Sequence, residues 1–464
     1  MEREEYLGLN RCWKQLDRFG FTDYGTKKEI LTFFVCLILV DQRIDGQHPK
    51  DLQLKDGHRL KWSKITSLSK SSLEPFFYEP ILNNLGIVET LSSQIQNYCD
   101  AQLWTFDEFP EMEVSQLHKL IQRINELALN TASSFSLFLR FLQEKKTSKN
   151  SGQCFTPSHI ANVMGALSNK IDAKSALDPS CGVGDLLTAI NRHHPNVKSL
   201  EGWEIDPFLA DCTRFNLWLV GQKQGKILTQ NSLNQHLNHQ KFDLIFANPP
   251  FGNENKTNIG RGEMLNTRTS RLELVFLDRI MNLVGENGFA FVILPLGFLH
   301  NLSKAHQFVR KRLIEEFHIE GIIEFPKGSF LPATAIRTAV VVFSLPSTKL
   351  MQQTIWYYKL QNDGFSRDQV RRSIPENDLP DLINSWTSRN SKKTKSSSQA
   401  ISFLSVEEIK KNGYILFSES KVKKSITKHY REQSSFKELL EELTFLEEER
   451  KVILTSIQEL LRDE

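Results

Sequence analysis

Hydrophobic and polar positions divide the chain into two regions with different periodicity. Up to about residue 143, apolar residues recur every three or four positions, which predicts helices. Thr26 and Glu29 have the spacing of a capping box before one such stretch. From residue 154 onward, short apolar runs alternate with amphipathic ones; the runs are SALD, SLEGWEID, GKILTQ, FDLIFA, FAFVILP, IEGIIEF and RTAVVVFSL. This alternation predicts a largely parallel β-sheet with right-handed crossovers.

Polar stretches and changes of periodicity predict four segments. We expect an N-terminal helical domain at 1–150, an α/β domain at 151–386, a basic Ser-rich linker at 387–400 and a C-terminal helical tail at 401–464. In the tail, apolar residues recur in steps of three and four; they are Phe436, Leu439, Leu443, Leu446, Ile453, Ile457 and Leu460. This heptad seam favours packing on another chain or a distant helix, and the alternative is an amphipathic helix on its own domain.

Composition is that of an ordinary globular protein with several domains. Hydrophobic residues make up 40% of the 464 residues and charged residues 24%. The net charge of +3 is too small to indicate nucleic acid by itself. The most apolar run, 30–40, is too short to cross a bilayer, so we expect no membrane segment. The cysteines form no C-x-x-C pair, which argues against a zinc knuckle or a disulfide framework and favours a reducing, cytoplasmic setting.

A glycine turn follows the first predicted strand. In ALDPSCGVGDLLTAI, Asp178 ends the strand, Gly182 and Gly184 form the turn, and an amphipathic helix follows. Glycines let a ligand approach the backbone closely. Leu187 stands where a dinucleotide fingerprint has its third glycine, and the absence of G-K-[ST] excludes a P-loop. Taken alone, the glycine pair is also consistent with a simple tight corner.

Two further strand ends complete a predicted nucleoside pocket. Glu204 ends the next strand about twenty residues after the glycines, where a carboxylate accepts both hydroxyls of a ribose. Asn231 follows the third strand and is a candidate to meet an adenine edge. A pocket of this kind without a pyrophosphate site suits S-adenosylmethionine, for whose cationic tail Asp178 offers a counter-charge. ATP and NAD fit poorly.

The run FDLIFANPPFG at 242–252 predicts a buried strand that ends at Ala247 or Asn248, because proline cannot continue a sheet ladder. An exocyclic adenine amine is a poor nucleophile because its lone pair is delocalised into the ring. The Asn248 side chain and the Pro249 carbonyl would accept its two hydrogens, while Pro249 and Pro250 stiffen the turn and Phe251 stacks on the base. The alternative is a strand-terminating turn with a buried Phe. Methyl transfer from a sulfonium requires no metal, and a duplex base must be extruded to reach such a pocket.

The motifs NPPF and DPSCGVGD, preceded by GQCFTPSHIANVM at 152–164, resemble those of the gamma-class N6-adenine DNA methyltransferases. More narrowly, the chain resembles the modification subunits of type I restriction-modification systems, by motif over roughly 150–375 and elsewhere by arrangement. The resemblance implies a Rossmann-like methyltransferase sheet with an N-terminal helical domain and a C-terminal helical, coiled-coil-like tail. It implies that cofactor-binding residues are Phe155, Thr156, Asp178, Gly182, Gly184, Glu204 and Asn231, and that catalytic residues are Asn248, Pro249, Pro250 and Phe251.

Several positions depart from the family pattern or leave two interpretations open. Asn231 stands where Asp is frequent, and Asp185 stands where a small residue is common. Phe330, in the late motif, would pack near the flipped base or simply in the core. The polar loop 252–270, with its basic residues Lys256, Arg261 and Arg268, would contact DNA phosphates or be a solvated insertion.

The implied function is transfer of a methyl group from S-adenosylmethionine to the N6 amine of a flipped adenine in double-stranded DNA. The implied partners are a DNA-specificity subunit docked on the helix at 436–460 and, as a further candidate, a restriction subunit. One alternative is a self-sufficient methyltransferase that acts on DNA, RNA or a protein glutamine. Another is an inert scaffold module of a defence complex.

Overall fold

A computed structural model describes the following parts of the chain: 2–45, 91–93, 95–96, 99–105, 110, 112–127, 129, 132–145, 155–222, 225–233, 240–252, 269–331, 334–346, 352–368, 371–389 and 400–416. Three predicted features lie wholly or mostly outside these residues. They are the basic part of the polar loop at 253–268, most of the linker at 390–399, and the tail helix at 436–460.

The N-terminal region is helical, as predicted. Its long described helices are α1 (Glu2–Arg18), α2 (Tyr24–Asp45), α3 (Val114–Asn125) and α4 (Ala132–Lys145). The predicted start of the second helix was wrong by a few residues. The capping box predicted Thr26 as the residue that caps the helix, but the helix begins at Tyr24. Asp23 is the cap instead, because its Oδ1 accepts a hydrogen bond from the Thr26 amide at 2.7 Å.

The remaining described elements form an α/β unit. In chain order they are α5 (Ser158–Ser168), β1 (Ser175–Asp178), α6 (Asp185–His193), β2 (Ser199–Glu204), α7 (Pro207–Leu219), β3 (Gly225–Thr229), β4 (Phe242–Ala247), α8 (Leu272–Leu283), β5 (Val284–Pro295), a 3₁₀ turn (Leu296–Leu299), α9 (Lys304–Glu316), β6 (His318–Glu324), β7 (Thr338–Ser344), β8 (Thr354–Lys359), β9 (Asp363–Phe365), β10 (Ser373–Asn377), α10 (Leu379–Ser388), β11 (Ile401–Ser405) and α11 (Val406–Lys411).

Nine strands form one sheet in the order β11-β8-β6-β7-β5-β4-β1-β2-β3, and β9 and β10 form a separate antiparallel pair. The half from β3 to β5 is parallel, as predicted. β7 lies between β5 and β6 and runs antiparallel to both. The connection from β6 to β7 makes no crossover, so the chain reverses its direction between these two neighbouring strands. From β1 the chain continues to β2 and β3 on one side, while β4 and β5 lie on the other. The strand order therefore reverses beside β1, where α/β sheets bind ligands.

Apolar cores cover both faces of the sheet. Along β4, Leu244 and Phe246 belong to the core with α5, α6 and α10, whereas Ile245 and Ala247 belong to the core with α8 and α9. This double burial explains why residues 244–247 of β4 are all apolar. No described helix is both long enough and apolar enough to cross a membrane.

A third core joins the N-terminal helices to the α/β unit. It includes α7 side chains such as Phe215 as well as Val183 of the glycine turn. The rings of Phe135 on α4 and Phe215 on α7 meet edge to face, with centroids 4.8 Å apart. The helical region and the sheet unit therefore share apolar packing.

A buried arginine fixes the loop that follows β5. Arg310 on α9 is fully buried, and its guanidinium donates to the carbonyls of Phe298 at 2.7 Å, Asn301 at 2.8 Å and Tyr414 at 2.6 Å. Burial lowers the pKa of Arg310 to about 10. These three bonds tie the 3₁₀ turn and the segment after α11 to the same helix.

We expect Arg310→Met to destabilise the protein by about 3 kcal/mol or more, because it leaves buried carbonyls without donors. Thermal melting measures the effect. Lys311→Met, at the exposed neighbouring position, is the control and should leave the melting temperature almost unchanged. Equal melting temperatures for the two variants would contradict the role assigned to Arg310.

Candidate active site

A cavity of about 200 Å³ lies where the carboxyl ends of β1, β2, β3 and β4 meet. Its lining includes six of the predicted site residues, namely Phe155, Gly182, Glu204, Asn231, Asn248 and Pro250. The other five, Thr156, Asp178, Gly184, Pro249 and Phe251, do not line it. The structure thus brings residues from five separate segments of the chain to one cavity.

The glycine turn after β1 requires its glycines for conformation and for packing. Gly182 and Gly184 have φ of +56° and +85°, the left-handed region that side chains disfavour. A Cβ atom on Gly184 would also lie 2.9 Å from Thr213 Cγ2 on α7. The Thr213 hydroxyl in turn donates to the Gly182 carbonyl at 2.7 Å. The glycine turn therefore packs closely against helix α7.

Glu204 is fixed by three backbone amides at the end of β2. Its Oε2 accepts from the Gly182 amide at 2.9 Å, and its Oε1 accepts from the amides of Ile205 at 2.9 Å and Asp206 at 3.0 Å. Burial raises the pKa of this carboxyl, although the three amides act in the opposite direction. The carboxylate is therefore preorganised on the cavity wall, where it can accept further hydrogen bonds.

Asp178 lies beneath the cavity at the end of β1, with only 1% of its surface exposed. Its Oδ1 accepts from the Ser180 amide at 3.0 Å. Burial, with a smaller contribution from the nearby Glu204 carboxylate, raises the pKa of Asp178 to about 8, and the Ser180 amide only partly offsets this. Asp178 therefore keeps its proton to a higher pH than an ordinary aspartate does.

The N-P-P-F and F-T-P motifs meet through one hydrogen bond. β4 ends at Ala247, as predicted, and the next side chain, Asn248, donates from Nδ2 to the Thr156 hydroxyl at 3.0 Å. Both side chains are buried, and 92 residues separate them in the chain. This bond holds the Asn248 amide in one orientation at the cavity.

Asn231 lines the cavity from the turn after β3. Its Oδ1 accepts from the Leu233 amide at 3.0 Å, which shapes the turn. The neighbouring Ser232 hydroxyl donates to the Pro179 carbonyl at 2.5 Å and so ties this turn to the end of β1. Asn231 therefore has a structural role in addition to its place on the wall.

Two aromatic side chains lie in the core beside the cavity. Phe251 is partly buried against the apolar core that α5, α6 and α10 form on the sheet. Phe330 is only 1% exposed and belongs to the same core. This agrees with the interpretation of Phe330 as a core side chain. Stacking on a base by either side chain would require movement away from this packing.

Ile205 was missed by the sequence analysis. It follows Glu204 directly, lines the cavity and is 56% exposed, which is unusual for a large apolar side chain. The sequence feature that could have indicated this role is the position of the isoleucine, directly after the end of a predicted strand. An apolar surface beside a fixed carboxylate suits the flat face of a base next to its ribose.

The described residues contain no group of three or more His, Cys, Asp and Glu side chains that could hold a metal ion. The site therefore consists of a left-handed glycine turn, a preorganised carboxylate, an exposed apolar side chain and an oriented amide. These features define an α/β protein with a cavity at a topological switch point of its sheet.

Comparison with known proteins narrows this class. The sequence profile of the N-6 DNA Methylase family matches residues 135–430, which is more than half of the chain. The chain belongs to the N-6 DNA Methylase family. It is 26% identical over 268 residues to the type I restriction enzyme EcoEI methylase subunit of Escherichia coli, covering 52% of this chain and 53% of that protein. The chain thus matches about half the length of this relative.

Solved structures share the fold. The methyltransferase subunit of a type I restriction-modification system from Streptococcus thermophilus superposes with a TM-score of 0.64 at 16% identity, over 90% of this chain and 98% of that one. A chain from a structural study of type I restriction-modification complex assembly superposes with a TM-score of 0.56 at 20% identity, over 94% of this chain and 97% of that one.

We expect the raised pKa of Asp178 to make stability depend on pH. The folded protein keeps a proton that the unfolded chain loses above pH 3.8, so this group's contribution to stability falls as pH rises from about 4 to 8, by at most about 1.4 kcal/mol per pH unit. Asp178→Asn removes the dependence. The melting temperature of this variant should therefore rise relative to wild type as pH increases over that range. Asp172→Asn, at an exposed position, is the control, and parallel curves for wild type and Asp178→Asn would refute the assignment.

Proposed function

We propose that this protein transfers a methyl group from S-adenosylmethionine to the N6 amine of an adenine extruded from double-stranded DNA. The observation that carries the proposal is the cavity that Asn248 and Glu204 line together. One residue suits the amine of a target base, and the other suits the ribose of a nucleoside cofactor. Membership of the N-6 DNA Methylase family supports the same reaction.

The cavity fits S-adenosylmethionine by the chemistry of its walls. The fixed Glu204 carboxylate would accept from the ribose hydroxyls, Ile205 would cover one face of the adenine, and Asn231 would lie near its edge. The left-handed conformation of Gly182 allows a ligand to approach the turn closely. When bound, the cofactor supplies an electrophilic methyl group on a sulfonium centre. Asp178, whose pKa a nearby cation would lower, would be ionised beside the bound cofactor and would offset its positive charge from beneath the turn.

Asn248 is proposed to act on the target amine. Its Oδ1 and the Pro249 carbonyl would accept the two amine hydrogens, which withdraws the nitrogen lone pair from the ring and favours attack on the methyl group. The bond from Nδ2 to Thr156 supports this role because it keeps the amide from rotating. The two prolines of the motif restrict the backbone that carries the second acceptor. The remaining contribution is alignment of the two reactants in a confined site.

We further propose that the protein works as the modification subunit of a type I-like complex. The relative from Escherichia coli is named as such a methylase subunit. The heptad seam at 436–460 would dock a DNA-specificity subunit, and a restriction subunit is a further candidate partner. A DNA substrate would also agree with the cytoplasmic location expected from the cysteine pattern.

Nucleoside mass spectrometry for N6-methyladenine tests the reaction. The chain would be expressed in a host that lacks this mark, alone and with its genomic neighbours, and again with the neighbours but carrying Asn248→Ala. We expect N6-methyladenine in DNA only when the neighbours are present, and its loss in the variant. Methylation by the chain alone would indicate a self-sufficient enzyme. Absence of the mark from DNA in every sample would overturn the proposal and direct attention to RNA, protein glutamine or an inert scaffold.

Calorimetric titration with S-adenosylmethionine tests the cofactor separately. Because Ile205 is exposed, Ile205→Ser should leave the melting temperature of the unliganded protein unchanged. It should weaken binding about tenfold, since apolar contact with the adenine is lost. Leu302→Ser, at a 66% exposed position that does not line the cavity, is the matched control. Equal affinities for the two variants would remove Ile205 from the proposed site.

A further inference from the structure

Helix α4 of the N-terminal region contributes two polar side chains to the back of the glycine turn. Ser136 and Arg140 are four residues apart and therefore share one face of the helix. They lie among fully buried aromatic side chains, including Phe135 and Phe138. Polar groups in such surroundings are costly unless they are paired, so their partners indicate what this face of the helix does.

The partner of Arg140 is Asp185, the first residue of α6. Arg140 Nη2 and Asp185 Oδ1 are 4.0 Å apart, and the Asp185 side chain is only 8% exposed. Burial raises the pKa of the Asp185 carboxyl, while Arg140 and the nearby Ser136 hydroxyl lower it. Helix α4 therefore supplies two groups that partly offset the burial of the Asp185 carboxyl.

Ser136 continues the same network into α7. Asn216 Nδ2 donates to the Ser136 hydroxyl at 3.2 Å and to the Val183 carbonyl at 3.0 Å. Val183 lies between the two left-handed glycines, and all of these side chains are almost fully buried. Side chains of α4 and α7 thus connect to the backbone in the middle of the turn and to the residue just after it.

The network contacts the turn outside the cavity. Neither Asp185 nor any member of α4 lines the cavity, whereas Gly182 lines it and donates its amide to Glu204. A shift of the backbone at Val183 or Asp185 would therefore be transmitted to Gly182 and to the Glu204 carboxylate.

We propose that Arg140 and Ser136, acting through Asp185 and Asn216, are positioning residues that hold the glycine turn in its ligand-binding conformation. The N-terminal helical region is then a structural part of the cofactor site. This inference rests on the proposed function for the identity of the ligand, S-adenosylmethionine. By linkage, ligand bound at the turn also stabilises the docking of α4.

Titration calorimetry with S-adenosylmethionine, well below the melting temperature, tests the proposal on the full chain. Arg140→Met and Asp185→Asn should each weaken binding about fivefold to tenfold, and the double variant should be no weaker than the single ones. Arg140→Lys, which keeps the charge, should restore most of the affinity. Phe135→Leu, which loosens the same helix interface without touching the network, is the control: it should lower the melting temperature and leave the affinity unchanged.

Hydrogen exchange followed by peptide mass spectrometry gives a readout that does not need the cofactor. Peptides that cover the glycine turn should exchange faster in Arg140→Met than in wild type, and Phe135→Leu should not show this increase. If Arg140→Met and Asp185→Asn lower the melting temperature but leave both the affinity and the exchange of the turn unchanged, the proposal is wrong. The network would then contribute only to packing between the helices. If wild type fails to bind S-adenosylmethionine while exchange still rises in Arg140→Met, the proposed cofactor is wrong and the positioning network stands.

Discussion

The hydrogen bond from the Gly182 amide to the Glu204 carboxylate is the contact on which the site depends. It joins the turn after β1 to the end of β2, and its donor, Gly182, has the left-handed conformation that glycine accepts most readily. The amides of Ile205 and Asp206 hold the other oxygen of the same carboxylate. With Glu204 in place, the exposed side chain of Ile205 follows at a defined position on the cavity wall. The backbone amides thus convert a local turn into a surface with a fixed charge and a fixed apolar neighbour.

Local constraints could be predicted from the sequence, and long-range contacts could not. Gly182 and Gly184 were identifiable because few other residues accept the conformation of the turn. The bond between Thr156 and Asn248 joins residues 92 positions apart, and no periodicity reports such a contact. Ile205 was missed because apolar residues are expected to be buried, and only the folded chain reveals its exposure.

The organisation of the chain shows a similar contrast. The change of periodicity near residue 150 separates helical and α/β sequence patterns, yet α4 on one side of it packs on α7 on the other. The family profile also begins at residue 135, within α4. Periodicity reports the structure that each segment adopts, whereas the shared core depends on contacts between segments. The change of sequence pattern near residue 150 therefore does not separate two independently packed units.

The antiparallel insertion of β7 has a consequence for the order in which the chain folds. Among the strands that the structure describes, β6 pairs with β7 and β8 alone, so none of its described partners exists until residues 338–344 have been synthesised. β1 to β5 can already assemble by then. The free edge of β5 stays unpaired until β7 has been synthesised. Unpaired edges of this kind promote aggregation during synthesis. The half of the sheet that carries the site is therefore able to form first, and its completion depends on a strand that arrives late.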